Sequence, residues 1–199
     1  MDPAVGLVQS YLRMNGFFTV TEFPVVARSH GAGETLTDID ILAIRFPQAG
    51  RWIPGTGAML PPDPMIDADD NQMLMIIGEV KEGKSRFNRS VRDKRVIGTV
   101  IRRFGCCSNN PDETARTVVE HGFSDTIVGM GMPCHIQWTV FGGTSPHGDL
   151  PYHVIPLRHV VRFLTNAIQE HRDVFLNSQS KDEALGLLTL LAKVGLQLK

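Results

Sequence analysis

The chain has 199 residues, of which 42% are hydrophobic and 21% charged, and its formal net charge is −1. This length is enough for a globular fold with a buried core, so we expect a single domain over residues 1–199. A nearly neutral chain has no overall positive field, so any binding to nucleic acid must depend on local clusters of cations. The N-terminus lacks a signal-peptide pattern, no apolar run reaches the roughly 18 residues of a membrane span, and the three cysteines have no disulfide spacing. We therefore expect a soluble, cytoplasmic protein.

Hydrophobic periodicity predicts helices and strands that follow one another along most of the chain. In chain order, the predicted elements are a helix over residues 5–14, strands over 17–27, 36–46 and 73–81, helices over 85–104 and 112–121, strands over 133–141 and 152–156, and helices over 157–172 and 181–198. Residues 29–35 are typical of a turn. Residues 47–72 are rich in Pro, Gly and Asp, and loops of this length are usually functional or partly disordered. This order predicts an α/β fold in which a mixed β-sheet is sandwiched by helices.

Charged residues interrupt two of the predicted strands. Asp38 and Asp40 lie within the apolar run of the second strand, and Glu79 and Lys81 close the third. Residues two apart in a strand point to the same face, so each pair is expected to project together. Carboxylates on neighbouring strands are hard oxygen ligands that suit Mg²⁺ or Mn²⁺, and a lysine beside them can stabilise charge on a phosphate. This combination favours phosphodiester hydrolysis.

Two structural interpretations remain open for the same residues. Asp38 and Asp40 also fit the solvent face of an edge strand, where polar and apolar residues alternate. Glu79 and Lys81 also fit a simple ion pair, which contributes little when it is exposed. The uninterrupted apolar run before Glu79 indicates a central strand, where a charge needs a specific reason.

Asp40, followed after a variable loop by Glu79-Val80-Lys81, resembles the motif of the PD-(D/E)xK nuclease superfamily. The resemblance covers about residues 5–141, whose predicted order matches the αβββαβ core of the restriction-endonuclease-like fold, with the strand and helices of residues 152–199 added. It implies a metal-dependent nuclease in which Asp40 and Glu79 bind Mg²⁺ or Mn²⁺ and Lys81 acts beside them. These three residues are the predicted catalytic set, and DNA is the predicted substrate.

The chain departs from that family pattern at two points. No proline precedes Asp40, and the first predicted helix offers only Gln9 where many family members carry an acid. Asp38 and Glu22 are the predicted accessory metal ligands, with Glu34 as a further substitute for the helix acid. The missing acid also supports the alternative of a catalytically inactive module with this fold that binds nucleic acid or a protein partner.

The densest cluster of cations follows directly after Lys81. Its members predicted to contact nucleic-acid phosphates are Lys84, Arg86, Arg89, Arg92, Lys94 and Arg95. Bound phosphates need neutralising charge near the cleaved bond, which favours this function. A solvated helix face is the alternative interpretation of the same cluster.

The last predicted helix, over residues 181–198, is apolar around much of its circumference. Such a helix must be covered by its own domain or by a second copy of the chain. The sequence therefore predicts a homodimer through this helix as one of two alternatives.

Overall fold

The computed structural model of the protein describes residues 2–29, 32–53, 59–66, 69–84, 88, 90–105, 110–144 and 150–196. The helices are α1 Pro3–Met14, α2 Lys94–Phe104, α3 Pro111–His121, α4 Leu157–Glu170, α5 Arg172–Asn177 and α6 Glu183–Lys193. The strands are β1 Phe18–Ser29, β2 Ala32–Arg45, β3 Arg51–Trp52, β4 Met59–Leu60, β5 Met73–Lys84, β6 Phe123–Val128, β7 Met132–Thr144 and β8 His153–Pro156. None of the helices in these described ranges combines the length and hydropathy that a membrane span needs.

In the described part of the chain, six strands form one mixed sheet. The order is β1-β2-β5-β7-β6, and β8 pairs with the second half of β7. Strand β2 is antiparallel to both of its neighbours, β1 and β5. Strand β7 is parallel to β5 and β8 and antiparallel to β6. Helices cover both faces of the sheet, so the predicted α/β sandwich with C-terminal helices is confirmed.

Each face of the sheet has its own hydrophobic core. The front core lies between the sheet and helices α2 and α3, and its members include Ile77, Val96, Val100, Val118 and Trp138. The back core lies between the sheet and helices α1, α4 and α6, and its members include Val8, Leu12, Ile76, Phe141 and Leu164. Because side chains of a strand alternate between faces, β5 places Ile76 in the back core and Ile77 in the front core.

Several elements differ from their predicted bounds. The ladder of β1 and β2 continues to Ser29 and Ala32, so strand pairing replaces most of the turn predicted at residues 29–35. Helix α2 begins only at Lys94, after a short 3-10 turn, because the Asp93 side chain accepts a hydrogen bond from the Arg95 backbone N–H and caps the helix there.

The sequence patterns did not predict β6. This six-residue strand pairs with β7 at the sheet edge and leaves Phe123 and Ile127 about half exposed. Its residues alternate between buried and exposed positions, but a short edge strand with Ser, Asp and Thr gives a weak periodic signal. The long loop predicted at residues 47–72 likewise contains the short antiparallel pair β3–β4.

Helix α6 is shorter than predicted and is only partly covered. Leu188 and Thr189 are buried, whereas Leu187, Leu190 and Val194 are all more than half exposed. The exposed apolar stripe is consistent with pairing to a second copy of the chain. The homodimer stays a prediction.

Candidate active site

The site lies where β2 separates from β5. The ladder of main-chain hydrogen bonds between these strands ends at the pair Ile41–Gly78. Beyond this pair, the side chain of Asp40, rather than a main-chain carbonyl of β2, accepts the hydrogen bond from β5. The backbone N–H of Val80 donates a hydrogen bond to Asp40 Oδ2 at 2.7 Å. A Cβ at Gly78 would collide with the side chain of Ile41, so glycine permits the two strands to lie close together just before they part. The carboxylate of Asp40 is therefore held at the fork.

Opposite Asp40, strand β1 has an unusual backbone conformation. Glu22 has a φ of 51°, in the left-handed region that costs a residue with a side chain about 1–3 kcal/mol. The ladder pairs on either side are Thr21–Ile41 and Phe23–Ile39, so the irregularity lies level with Asp40. Backbone strain of this kind concentrates at functional sites.

The alternation of side chains in β2 is also interrupted at this level. Ile39 packs in the front core, but Ile41, two residues later, packs in the back core. Strict alternation is the basis for predicting that Asp38 and Asp40 share a face, and it is interrupted between these two isoleucines. Asp38 is exposed, whereas the side chain of Asp40 is 28% exposed at the fork.

Glu79 and Lys81 do project together, as their spacing predicts. Lys81 Nζ lies 2.5 Å from Glu79 Oε1 and 4.0 Å from Asp40 Oδ2. Val80, between them, packs in the back core, which leaves Glu79 and Lys81 on the front side of the sheet. The structure thus brings the three predicted catalytic side chains into one group.

Burial raises the pKa of the Glu79 carboxyl. Its side chain is only 3% exposed, and the loss of water contact raises the pKa of its carboxyl above the ordinary value. The negative charge of Asp40 raises this pKa further, while hydrogen bonds from Lys81 and from the Asn88 backbone oppose the rise. A carboxyl group that is held out of water beside a second carboxylate and a lysine is typical of functional sites.

The two carboxylates fit a divalent cation of the Mg²⁺ type. Asp40 and Glu79 supply oxygen ligands from adjacent strands, and Mg²⁺ usually binds one or two carboxylates and completes its shell with waters and phosphate oxygens. Within the described residues, no three or more His, Cys, Asp and Glu side chains form a potential metal cluster. The donor set is therefore a pair of carboxylates rather than a closed protein cage.

The predicted accessory ligands do not join this pair. Asp38 and Glu22 are both exposed, and neither forms a cluster with Asp40 and Glu79. Helix α1 carries no acidic residue, and its Gln9 is buried. The side chain of Glu34 lies outside the described part of the chain. The accessory roles of Asp38 and Glu22 stay predictions that this arrangement does not support.

The predicted phosphate contacts are only partly within the described residues. Arg86, Arg89 and the side chain of Lys84 lie outside them, whereas Arg92, Lys94 and Arg95 are exposed at the start of α2. A groove of about 690 Å³ begins there, and the surface that lines it, termed the α2–α3 surface, consists of Lys94, Arg95, Thr99, Arg102, Asn110, Asp112, Glu113 and Arg116.

Acidic neighbours pair with several cations of the α2–α3 surface. Arg95 contacts the carboxylate of Asp93 at 2.5 Å, and Arg102 contacts Asp112 at 2.6 Å. Arg116 lies 3.6 Å from Glu113. The local excess of positive charge is therefore smaller than the sequence cluster indicates.

A buried polar cluster lies beside α4 and was not predicted from the sequence. Asp63, in the proline-rich loop before β5, is 3% exposed and accepts a hydrogen bond from the Met65 backbone N–H. Its Oδ2 lies 2.7 Å from Nε2 of His159 on α4, and the Asp63 N–H donates to Asn15 Oδ1. Burial, and then the charge of Asp63, raise the pKa of Tyr11 far above its ordinary value. The cluster attaches the loop to α1 and α4.

Comparison with known proteins adds no relative. No family model, curated protein or solved structure matches this chain. The resemblance to PD-(D/E)xK nucleases therefore rests on Asp40, Glu79, Lys81 and the order of the elements around them.

Proposed function

We propose that the protein is a metal-dependent nuclease that hydrolyses phosphodiester bonds, with DNA as its substrate. The observation that supports this most is the convergence of Asp40, Glu79 and Lys81 at the fork between β2 and β5. Two carboxylates and one lysine, of which Glu79 is buried and the other two are partly exposed, are a donor set suited to a phosphate and a divalent ion.

In this proposal, Asp40 and Glu79 would hold Mg²⁺ or Mn²⁺. The ion would supply positive charge for the phosphate and would make water a better nucleophile at neutral pH. Lys81 contributes a compact positive charge that orients the attacking water or stabilises charge as the bond breaks. The hydrogen bond from Val80 fixes the direction of the Asp40 carboxylate, and the burial of Glu79 limits its motion.

The test is cleavage of DNA in Mg²⁺ or Mn²⁺ by the variants Asp40→Asn, Glu79→Gln and Lys81→Met. Each is expected to lose at least about a hundredfold in rate, as when a charge-stabilising group is removed from a site, with an unchanged circular dichroism spectrum. Glu82→Gln is the matched control, because Glu82 is an exposed acid of the same strand. Full activity in all three variants would refute the proposal.

The accessory ligands are tested in the same assay. If Asp38 and Glu22 bind no metal, Asp38→Asn and Glu22→Gln keep the wild-type dependence on Mg²⁺ concentration. If either variant needs a higher Mg²⁺ concentration than the wild type for the same rate, the substituted residue contributes to metal binding.

The second candidate is a module that binds nucleic acid or a protein partner without cleavage. The observation in its favour is the absence of an acid from α1, which leaves two carboxylates at the site. Binding of DNA with no cleavage in either Mg²⁺ or Mn²⁺ would select this candidate. Cleavage that depends on Asp40 and Glu79 would eliminate it.

A further inference from the structure

A second cationic groove lies on the back of the molecule, along α4. Its volume is about 1070 Å³, and the cations that line it are Arg158, Arg162 and Arg172, with His159 beside them. Pro156, which directly precedes α4, also lines it. The described part of this lining contains no aspartate or glutamate. We call it the α4 groove.

The arginines of the α4 groove have no ion-pair partner among the described residues. Arg158, Arg162 and Arg172 are exposed, and none of them forms an ion pair or a side-chain hydrogen bond there. His159 uses Nε2 to contact the buried Asp63. The first turn of α4 has no acidic residue and no side-chain cap, so its backbone N–H groups add to the positive potential.

The α4 groove opens at the same end of the sheet as the candidate active site. Lys81 pairs with Gly142, and Gly142 pairs with Pro156, which lines the groove and directly precedes α4. These residues lie on three adjacent strands, so two strand spacings, about 10 Å, separate Lys81 from Pro156 along the backbone row. The catalytic side chains face the front of the sheet, and α4 covers the back.

The cations of the groove are spread along its length. Arg158 and Arg162 are one helical turn apart in the first half of α4, about 6 Å along the axis, and Arg172 begins α5 beyond the other end of α4. A single phosphate would need cations that converge on one point, whereas a series of phosphates needs cations in a row. The chemistry therefore fits a polyanion that passes the end of the sheet.

We propose that the α4 groove binds the phosphate backbone of the nucleic acid beyond the cleaved bond. The substrate then contacts both faces of the protein, the α2–α3 surface in front and the α4 groove behind, with the carboxylates between them. This inference rests on the proposed nuclease function. It assigns a phosphate-binding role to Arg158 and Arg162.

The experiment measures binding of a fluorescein-labelled DNA duplex in EDTA, by anisotropy, over a series of salt concentrations. The logarithm of the affinity falls linearly with the logarithm of the salt concentration, and each lost phosphate contact reduces the steepness of this line by about 0.9. In the variant Arg158→Gln/Arg162→Gln, the steepness of this line is expected to fall by about 2. The affinity for DNA at low salt is expected to fall about tenfold.

Two further variants serve as controls. Arg103→Gln/Lys181→Gln makes the same change of charge at exposed positions outside the α4 groove, and it is expected to keep the wild-type slope. Arg158→Lys/Arg162→Lys keeps the charge and is expected to restore most of the slope. Equal melting temperatures for all three exclude an effect of misfolding.

The outcomes separate this inference from the proposed function. If the wild type cleaves DNA in Mg²⁺ but Arg158→Gln/Arg162→Gln binds with an unchanged salt slope, the groove inference fails alone. If the wild type neither binds nor cleaves DNA, both fail. If the wild type binds inorganic pyrophosphate and this variant loses that binding but keeps its affinity for DNA, the groove takes small anions and the inference is also overturned.

Discussion

The α2–α3 surface and the α4 groove are both rich in arginine, but they differ in how much of that charge is free. On the α2–α3 surface, Arg102 and Arg116 have acidic partners on α3. In the α4 groove, Arg158 and Arg162 have no acidic partner among the described residues. The density of cations in a sequence therefore does not measure the charge that a surface offers to phosphates, because neighbouring acids from other elements decide it.

The two regions also differ in how their helices are held. Helix α2 begins at an exposed cap, where Asp93 accepts a hydrogen bond from Arg95. Helix α4 has no side-chain cap, and its first turn is instead held by the contact of the partly buried His159 with the buried carboxylate of Asp63. A buried polar contact costs more to remove than an exposed one, since the remaining partner stays out of water. The following substitutions test this difference, from the largest effect to the smallest.

Asp63→Ala is expected to have the largest effect on stability, about 3 kcal/mol, because it leaves His159 and the Met65 N–H without their buried partner. Urea unfolding measures the change. Asp173→Ala, at an exposed position on α5, is the control and should stay within about 0.5 kcal/mol of the wild type. A loss below about 1 kcal/mol for Asp63→Ala would show that the buried contact does not anchor α4.

Asp93→Ala is expected to destabilise the protein by about 1 kcal/mol at neutral pH through loss of the α2 cap. Hydrogen bonds from Arg95 lower the pKa of Asp93, so the stabilisation is present above the unfolded value of about 3.9 and disappears as the pH falls through the lower folded value. Thermal melts of variant and wild type should therefore converge in acid. Asp93→Asn, which keeps the cap without the charge, should lie between the wild type and Asp93→Ala at neutral pH.

Asp112→Asn is expected to have the smallest effect on stability, below about 0.5 kcal/mol, because its ion pair with Arg102 is exposed. It should make the α2–α3 surface more like the α4 groove, since it releases Arg102 for a phosphate. The expected result is a rise of about twofold in affinity for DNA at low salt. Glu120→Gln makes the same change of charge on α3 at an exposed position; an equal rise in this control would mean that only net charge matters.

Local sequence was sufficient for much of the fold and for the centre of the site. The long apolar strands and amphipathic helices follow from periodicities of two and 3.6 residues, which depend only on neighbours in the chain. The spacing of Glu79 and Lys81 within one strand likewise placed them on one face, as the structure has it. Strand β6 was not predicted because it is stabilised by its pairing with β7, and its own sequence has only a weak strand pattern.

Contacts between distant segments decided the rest. The fork at Asp40 depends on where β2 leaves β5, and the Asp63–His159 contact joins residues 96 positions apart. The pairing of Arg102 with Asp112 depends on the packing of α2 against α3, and the open charge of Arg158 and Arg162 depends on which elements surround α4. Periodicity records which face of an element is apolar, but it carries no information on which other element covers that face or neutralises its charge. For this reason the residues Asp40, Glu79 and Lys81 could be proposed as a group from the sequence, whereas the α4 groove could be found only in the folded chain.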